Sequence, residues 1–142
     1  MTNPAGRTKL SFSTAPSRGR TIAYWITTLV LGAEGIVGGI LGLARWAPYV
    51  AIIRHLGYPT YLMPIISGWY MVAGLVVLVP RFPRVKEWAY SGLFINYTGA
   101  VASHLAVGDG ASALVGPLVF TAFLVASWAL RPPARRLAGP RL

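Results

Sequence analysis

Four apolar stretches decide what this chain can fold into. They run over about Ile22–Leu43, Thr60–Val79, Trp88–Val107 and Ala111–Leu130. Each approaches the ~20 residues that a helix needs to cross ~30 Å of hydrocarbon. In lipid every backbone donor and acceptor must be satisfied within the segment, which leaves helices as the spanning form for such blocks. The expected fold is therefore all-α, a four-helix transmembrane bundle. The chain is 55% hydrophobic and 11% charged, far below the charge content of a soluble domain. The first block is too long for the apolar core of a secretory leader, and no small-residue cleavage site follows it.

The charges lie between and outside the blocks. Arg7, Lys9, Arg18, Arg20, Arg81, Arg84, Lys86, Arg131, Arg135, Arg136 and Arg141 fall on one side of a four-span chain, and only Arg45 and Arg54 on the other. The positive-inside rule then places both termini in the cytoplasm, with the protein in the cytoplasmic (inner) membrane. A net charge of +10 with this layout argues for lipid headgroups, not nucleic acid, as the partner of the basic residues. Residues 1–20 read as a disordered basic tail, 21–130 as the membrane domain and 131–142 as a second basic tail. Trp25, Trp46, Trp88 and Trp128 fall near block ends, where interfacial anchors belong.

Between the first two blocks, Pro48 can open a short helix and Gly57 can close it. Tyr49, Ile52, Ile53 and Leu56 then share one apolar face, with Arg54 and His55 on the other side. This predicts a short interfacial helix on the outer surface. Within the first block Gly35–Gly39 and Gly38–Gly42 are overlapping small-residue pairs that allow close helix approach. Pro64 and Pro117 are expected to bend the second and fourth spans.

Glu34 is the only acidic residue deep inside a block. A carboxylate there is costly, and such groups face a partner, a cavity or a ligand. At 1.5 Å per residue it lies about 14 Å below the outer end of its span, and Asn96 lies at a similar depth. Glu34, Ser67, Trp69, Tyr70, Asn96 and Ser103 are the candidate ligand pocket, with Asn96, Ser67 and Tyr70 as the expected partners of Glu34. Arg54, His55, His104 and Asp109 are the candidate outer gate, and His titrates near neutral pH. If the protein is catalytic, Glu34 and His104 are the candidate acid or base. No HxxxH or HExxH pattern is present, so no metal site is expected. Without cysteine there is no disulfide or thiol redox centre.

Three motifs resemble one family. His55-Leu56-Gly57-Tyr58-Pro59-Thr60-Tyr61, then Pro80-Arg81-Phe82-Pro83-Arg84-Val85-Lys86-Glu87-Trp88-Ala89-Tyr90, then Thr98-Gly99-Ala100-Val101-Ala102-Ser103-His104-Leu105-Ala106-Val107-Gly108-Asp109 are similar to the bacterial DoxX-like family. The resemblance covers roughly residues 35–110 in order and implies a four-helix integral membrane protein. It also implies an association with membrane redox systems, including quinone-linked sulfur oxidation and oxidative-stress complexes. Similar chains carry Lys where Met71 stands and Asp where Asn96 stands, so a buried ion pair implied by the family is lost here on both sides. The favoured function is an accessory protein that binds a quinone or other apolar molecule and serves a membrane redox partner. A small membrane enzyme using acid–base chemistry on a hydrophobic substrate, and a structural or assembly subunit, stay open beside it, as does a homo-oligomer.

Overall fold

The structure is a computed structural model that describes residues 17–136; the expected tail segments 1–16 and 137–142 lie outside the described residues. It is all-α, with five α-helices and no strand among the described residues. The first helix, α1, spans Arg18–Leu43, and Ser17 opens it as the N-cap, accepting from the Arg20 amide. Arg18 and Arg20, expected in the loose tail, are thus its first turn. The short α2, Ala47–His55, has Pro48 in its first turn, as the sequence predicts. Then come α3, Leu62–Leu78, α4, Pro83–Ala106, and α5, Ala111–Leu130. The last matches its expected bounds and runs through Pro117. Pro64 puts no break into α3: it sits in the first turn, where its missing donor would have had no intrahelical partner anyway.

The four long helices form a closed ring in the order α1–α3–α4–α5. Sequential helices run antiparallel, so α1 ends beside the start of α3, and α4 starts beside the end of α5. One pole of the ring carries α2 and the α4–α5 turn. The other, the tail pole, carries Ser17, the α3–α4 turn and residues 131–136. Both α1 and α5 are long and apolar enough to cross a membrane, and α3 is an apolar helix of slightly shorter length. Trp25, Trp46, Trp88 and Trp128 are all at least partly exposed, consistent with their reading as anchors.

Glycines set the closest seam. A methyl built on Gly35 would stand 2.9 Å from the Gly74 Cα and 3.2 Å from the Tyr70 carbonyl oxygen. One on Gly39 would meet Met71 Cβ at 2.6 Å. So the Gly35–Gly39 pair faces α3 and lets the backbones touch, as small residues do where the hydrophobic effect gives helices no mutual drive. Leu31, Val77, Leu93 and Leu124, one from each long helix, close the middle of the ring as an apolar layer. Below it, Ser127 ties three helices together: its hydroxyl lies 2.7 Å from Thr28 Oγ1 and 2.7 Å from the Tyr90 hydroxyl.

The tail pole is built from buried cations that cap helix C-termini. Lys86, fully buried, donates from Nζ to the Val76 and Val77 carbonyls at 2.6 and 2.8 Å. Arg135 Nη1 donates to the Leu78 carbonyl at 3.4 Å and to the Tyr24 hydroxyl at 3.1 Å. Arg131 pairs with Glu87 at 2.7 Å and lies over the Tyr90 ring. Positive groups satisfy the last carbonyls and oppose the negative end of the helix dipole. Residues 131–136 are therefore part of the fold and not a loose tail. The Lys86-Glu87-Trp88 segment serves the turn between α3 and α4, as its position suggests.

Candidate functional site

Glu34 faces the ring interior, as the cost of burying a carboxylate requires. Its Oε2 accepts hydrogen bonds from the Tyr70 hydroxyl of α3 and, at 2.7 Å, from the Tyr97 hydroxyl of α4. The two hydroxyls lie 2.9 Å apart, and the Tyr97 ring stacks on Phe120 of α5. Of the three expected partners only Tyr70 is correct. Ser67 is turned away into the α1–α3 seam, where its Oγ lies against Gly42; a small residue there is demanded by the glycine packing. Tyr97 is the missed residue. Lys86, Tyr90, Leu93 and Tyr97 recur at helical spacing and are all buried, so the inward face of α4 carries Tyr97. Asn96, one residue earlier, is rotated by about 100°.

That rotation brings Asn96 into a different feature. A groove of about 470 Å³ runs along the outside of the α3–α4 seam, and Trp69, Tyr70, Trp88, Leu93 and Asn96 are among its lining residues. Its walls are otherwise aliphatic, and Trp69 and Trp88 are 73% and 82% exposed. The groove opens sideways, away from the ring axis. Asn96 makes no side-chain hydrogen bond among the described residues, so its amide is free in an apolar wall. Met71 packs instead on Gly39 of α1, so the two positions where the family resemblance implies an ion pair serve separate interfaces in this chain. Tyr70 belongs to both features, because it lines the groove and its hydroxyl reaches Glu34.

At the α2 pole three of the four expected gate residues converge. Asp109 Oδ1 lies 2.7 Å from His55 Nε2, and Oδ2 lies 2.6 Å from His104 Nδ1. Backbone geometry delivers these groups. Gly108, at φ +78°, ends α4 in a Schellman turn, with Gly108 N–H donating to Leu105 O and Asp109 N–H to His104 O. Gly57, also at φ +78°, ends α2 in the same way and places Tyr58. The Tyr58 hydroxyl lies 2.8 Å from Ser103 Oγ, so Ser103 belongs to this pole and not to the Glu34 site. Two helix ends thus clasp each other. Arg54 is exposed and joins no ion pair among the described residues. No cluster of metal-binding side chains occurs among the described residues.

The hydrogen bonds from His104 and His55 hold the Asp109 carboxyl below the usual carboxylate range. A carboxyl depressed in the folded state stabilises the clasp above its unfolded value and stops doing so as pH falls through the folded one. The clasp should therefore hold at neutral pH and release only below about pH 4. A spin label at Ile52, on the exposed face of α2, should gain mobility in that acid range. In Asp109→Asn, which lacks the paired acceptor oxygens, the label should be mobile at every pH. Equal mobility in the two proteins at pH 7 would show that the clasp does not hold α2.

The sequence pattern of the DoxX-like family matches residues 26–127, most of the chain and nearly the whole ring. The chain belongs to the DoxX-like family. The family is membrane-associated, and with the apolar helices this makes the protein a membrane protein. No curated protein and no solved structure gives a significant match to it.

Proposed function

We propose that this is a multi-pass protein of the cytoplasmic membrane, with four spans and both termini cytoplasmic. In this reading it holds a quinone or similar apolar ring compound in the α3–α4 groove for a membrane redox partner. The closed ring with aliphatic and aromatic side chains on its outer surface supports four spans, and the eleven-to-two division of basic residues supports the orientation.

The free Asn96 amide in an otherwise apolar groove carries the ligand assignment. Ligand sites are mostly apolar with a few polar groups that fix orientation. A ring lying on this wall with a carbonyl oxygen at the Asn96 amide fits it, with Trp69 and Trp88 among the residues along the groove. A bound quinone would supply two-electron redox chemistry that a chain without cysteine does not supply through thiols. Asn96 would orient it, and the bulk of Trp69 and Trp88 would exclude water. Electrons would come from the partner protein.

Titration of the purified protein with a short-chain quinone tests this through quenching of tryptophan fluorescence. Asn96→Leu should weaken binding about tenfold, the loss of one good hydrogen bond. Trp69→Ala should weaken it as well. Unchanged affinity in both variants would remove the groove from consideration.

The Glu34–Tyr70–Tyr97 cluster favours one second reading, an enzyme in which Glu34 is acid or base toward a hydrophobic substrate. Turnover of such a substrate that disappears in Glu34→Gln, with quinone quenching retained, would select it.

A further inference from the structure

Glu34 has a second side. Both tyrosine bonds described above go to Oε2. Oε1 faces the next turn of its own helix, at Gly38. A methyl built on Gly38 would stand 3.7 Å from Oε1, 3.7 Å from the Tyr49 hydroxyl and 3.2 Å from Tyr70 Cε1. Side chains from α1, α2 and α3 therefore meet above this glycine, and no side chain on residue 38 separates Tyr49 from the carboxylate. The Tyr49 hydroxyl makes no hydrogen bond among the described residues, and its ring packs edge-on to Trp46 at the α2 pole.

The opposite direction is closed. Toward the tail pole, Glu34 is followed by the apolar layer of Leu31, Val77, Leu93 and Leu124, each no more than 3% exposed. No other titratable side chain is bonded to Glu34. From α4 there is Tyr97; α5 carries no titratable residue at all; Arg45 and Arg54 are exposed to solvent. The hydrogen bonds of Glu34 thus go to Tyr70, whose side chain also lines the groove, and to Tyr97, while on the Oε1 side the Tyr49 hydroxyl of the α2 pole stands across Gly38 without a bond to it.

We propose that Tyr70, Glu34 and Tyr49 form a proton path between the α3–α4 groove and the aqueous side of the α2 pole, with α2 as its cover. Tyr70 is bonded to Glu34, whereas Tyr49 must swing across the open space at Gly38 to reach Oε1. In contact, each hydroxyl releases its proton to the next acceptor and takes one from behind on the same oxygen. Glu34 alternates between carboxylate and carboxylic acid, so one proton leaves for each that arrives. Gly38 is the positioning residue, since a side chain there would separate Tyr49 from Glu34. The clasp of His55, Asp109 and His104 holds α2 in register. This inference rests on the groove being the ligand site, and it assigns to that site the side on which its protons are exchanged.

The test uses the full protein inserted in one orientation in lipid vesicles whose inner and outer pH are set separately. Dicyclohexylcarbodiimide, an apolar reagent, adds to protonated carboxyls, and the modified Glu34 peptide is counted by mass spectrometry. Modification should slow as pH rises on the α2 side and ignore the pH on the tail-pole side. Tyr49→Phe keeps the ring and removes the hydroxyl, and should reduce the response to α2-side pH by about tenfold. Gly38→Ala should do the same. A rate that follows the tail-pole pH, a rate that follows neither, or no modified Glu34 would overturn the path. Quinone quenching of the same samples separates the two ideas. Quenching without a pH response sinks the path alone, and a pH response without quenching sinks the groove assignment alone.

Discussion

Replacing Gly35 with alanine should destabilise the protein by about 1–3 kcal/mol, the range for forcing a methyl into a packed seam. The new carbon would meet backbone on both near sides, the Gly74 Cα and the Tyr70 carbonyl. Backbone cannot rotate away as a side chain can, so α1 and α3 must separate along their length. Gly35→Leu should prevent the ring from closing. The seam also carries Glu34 and Tyr70 on its two helices, so separation should break their bond and loosen the site. Gly99→Ala is the control. Nothing lies within 4 Å of the position a Gly99 Cβ would take, and the higher helix propensity of alanine should leave that variant unchanged or about 1 kcal/mol more stable. Unfolding of both variants in a detergent titration measures the difference. Equal stability of Gly35→Ala and Gly99→Ala would show that the glycine seam does not hold the ring together.

Lys86→Met should cost about 3 kcal/mol. The methionine matches the length of the lysine but brings no donor, so the Val76 and Val77 carbonyls lose their partner at the end of α3. Hydrogen bonds to a charged group contribute about 1.5–3 kcal/mol each, and relief from burying the ammonium offsets part of the loss. Lys86→Arg should not rescue the protein, because a planar fork does not fit a slot shaped for one compact charge. The same detergent titration reads the effect. A Lys86→Met variant as stable as the parent would mean that the α3 C-terminus finds other partners.

Much of the fold is legible in the sequence because bilayer physics is simple. Block lengths locate the four long helices, and Pro48 and Gly57 locate α2. The start of α4 is not legible in the same way. Hydropathy marks where the chain becomes apolar, whereas the helix begins at Pro83, five residues before Trp88, through a turn rich in charge. The strained backbone before it, with Arg81 and Phe82 both at positive φ, has no sequence signal either, since neither residue is a glycine. Arg45, at φ 53°, closes α1 in the role that Gly57 and Gly108 have elsewhere.

The surroundings of Glu34 are legible only in part. The inward aim of Glu34 follows from its desolvation alone. Its partners do not, because polarity selects Asn96 and Ser67 while helix phase selects Tyr97. A tyrosine in an apolar block is easily taken for filling, although its hydroxyl is the one group that reaches a carboxylate from a neighbouring backbone. The meeting of His55, His104 and Asp109 depends on two turns closing against each other across the pole. Spacing within either segment carries no trace of that.

The sideways opening of the groove changes what affinity means for this protein. If the ring sits in a bilayer as proposed, a ligand of the groove would reach Trp69 and Trp88 by lateral diffusion without passing through water. The concentration that governs occupancy is then its fraction among the lipids, not its scant dissolved amount. A site that looks weak on an aqueous scale can be filled in the membrane and emptied by the detergent that dilutes the lipid. On the proposed function, loading would follow the composition of the surrounding bilayer, and the same chain would report the size of the membrane's own ligand pool.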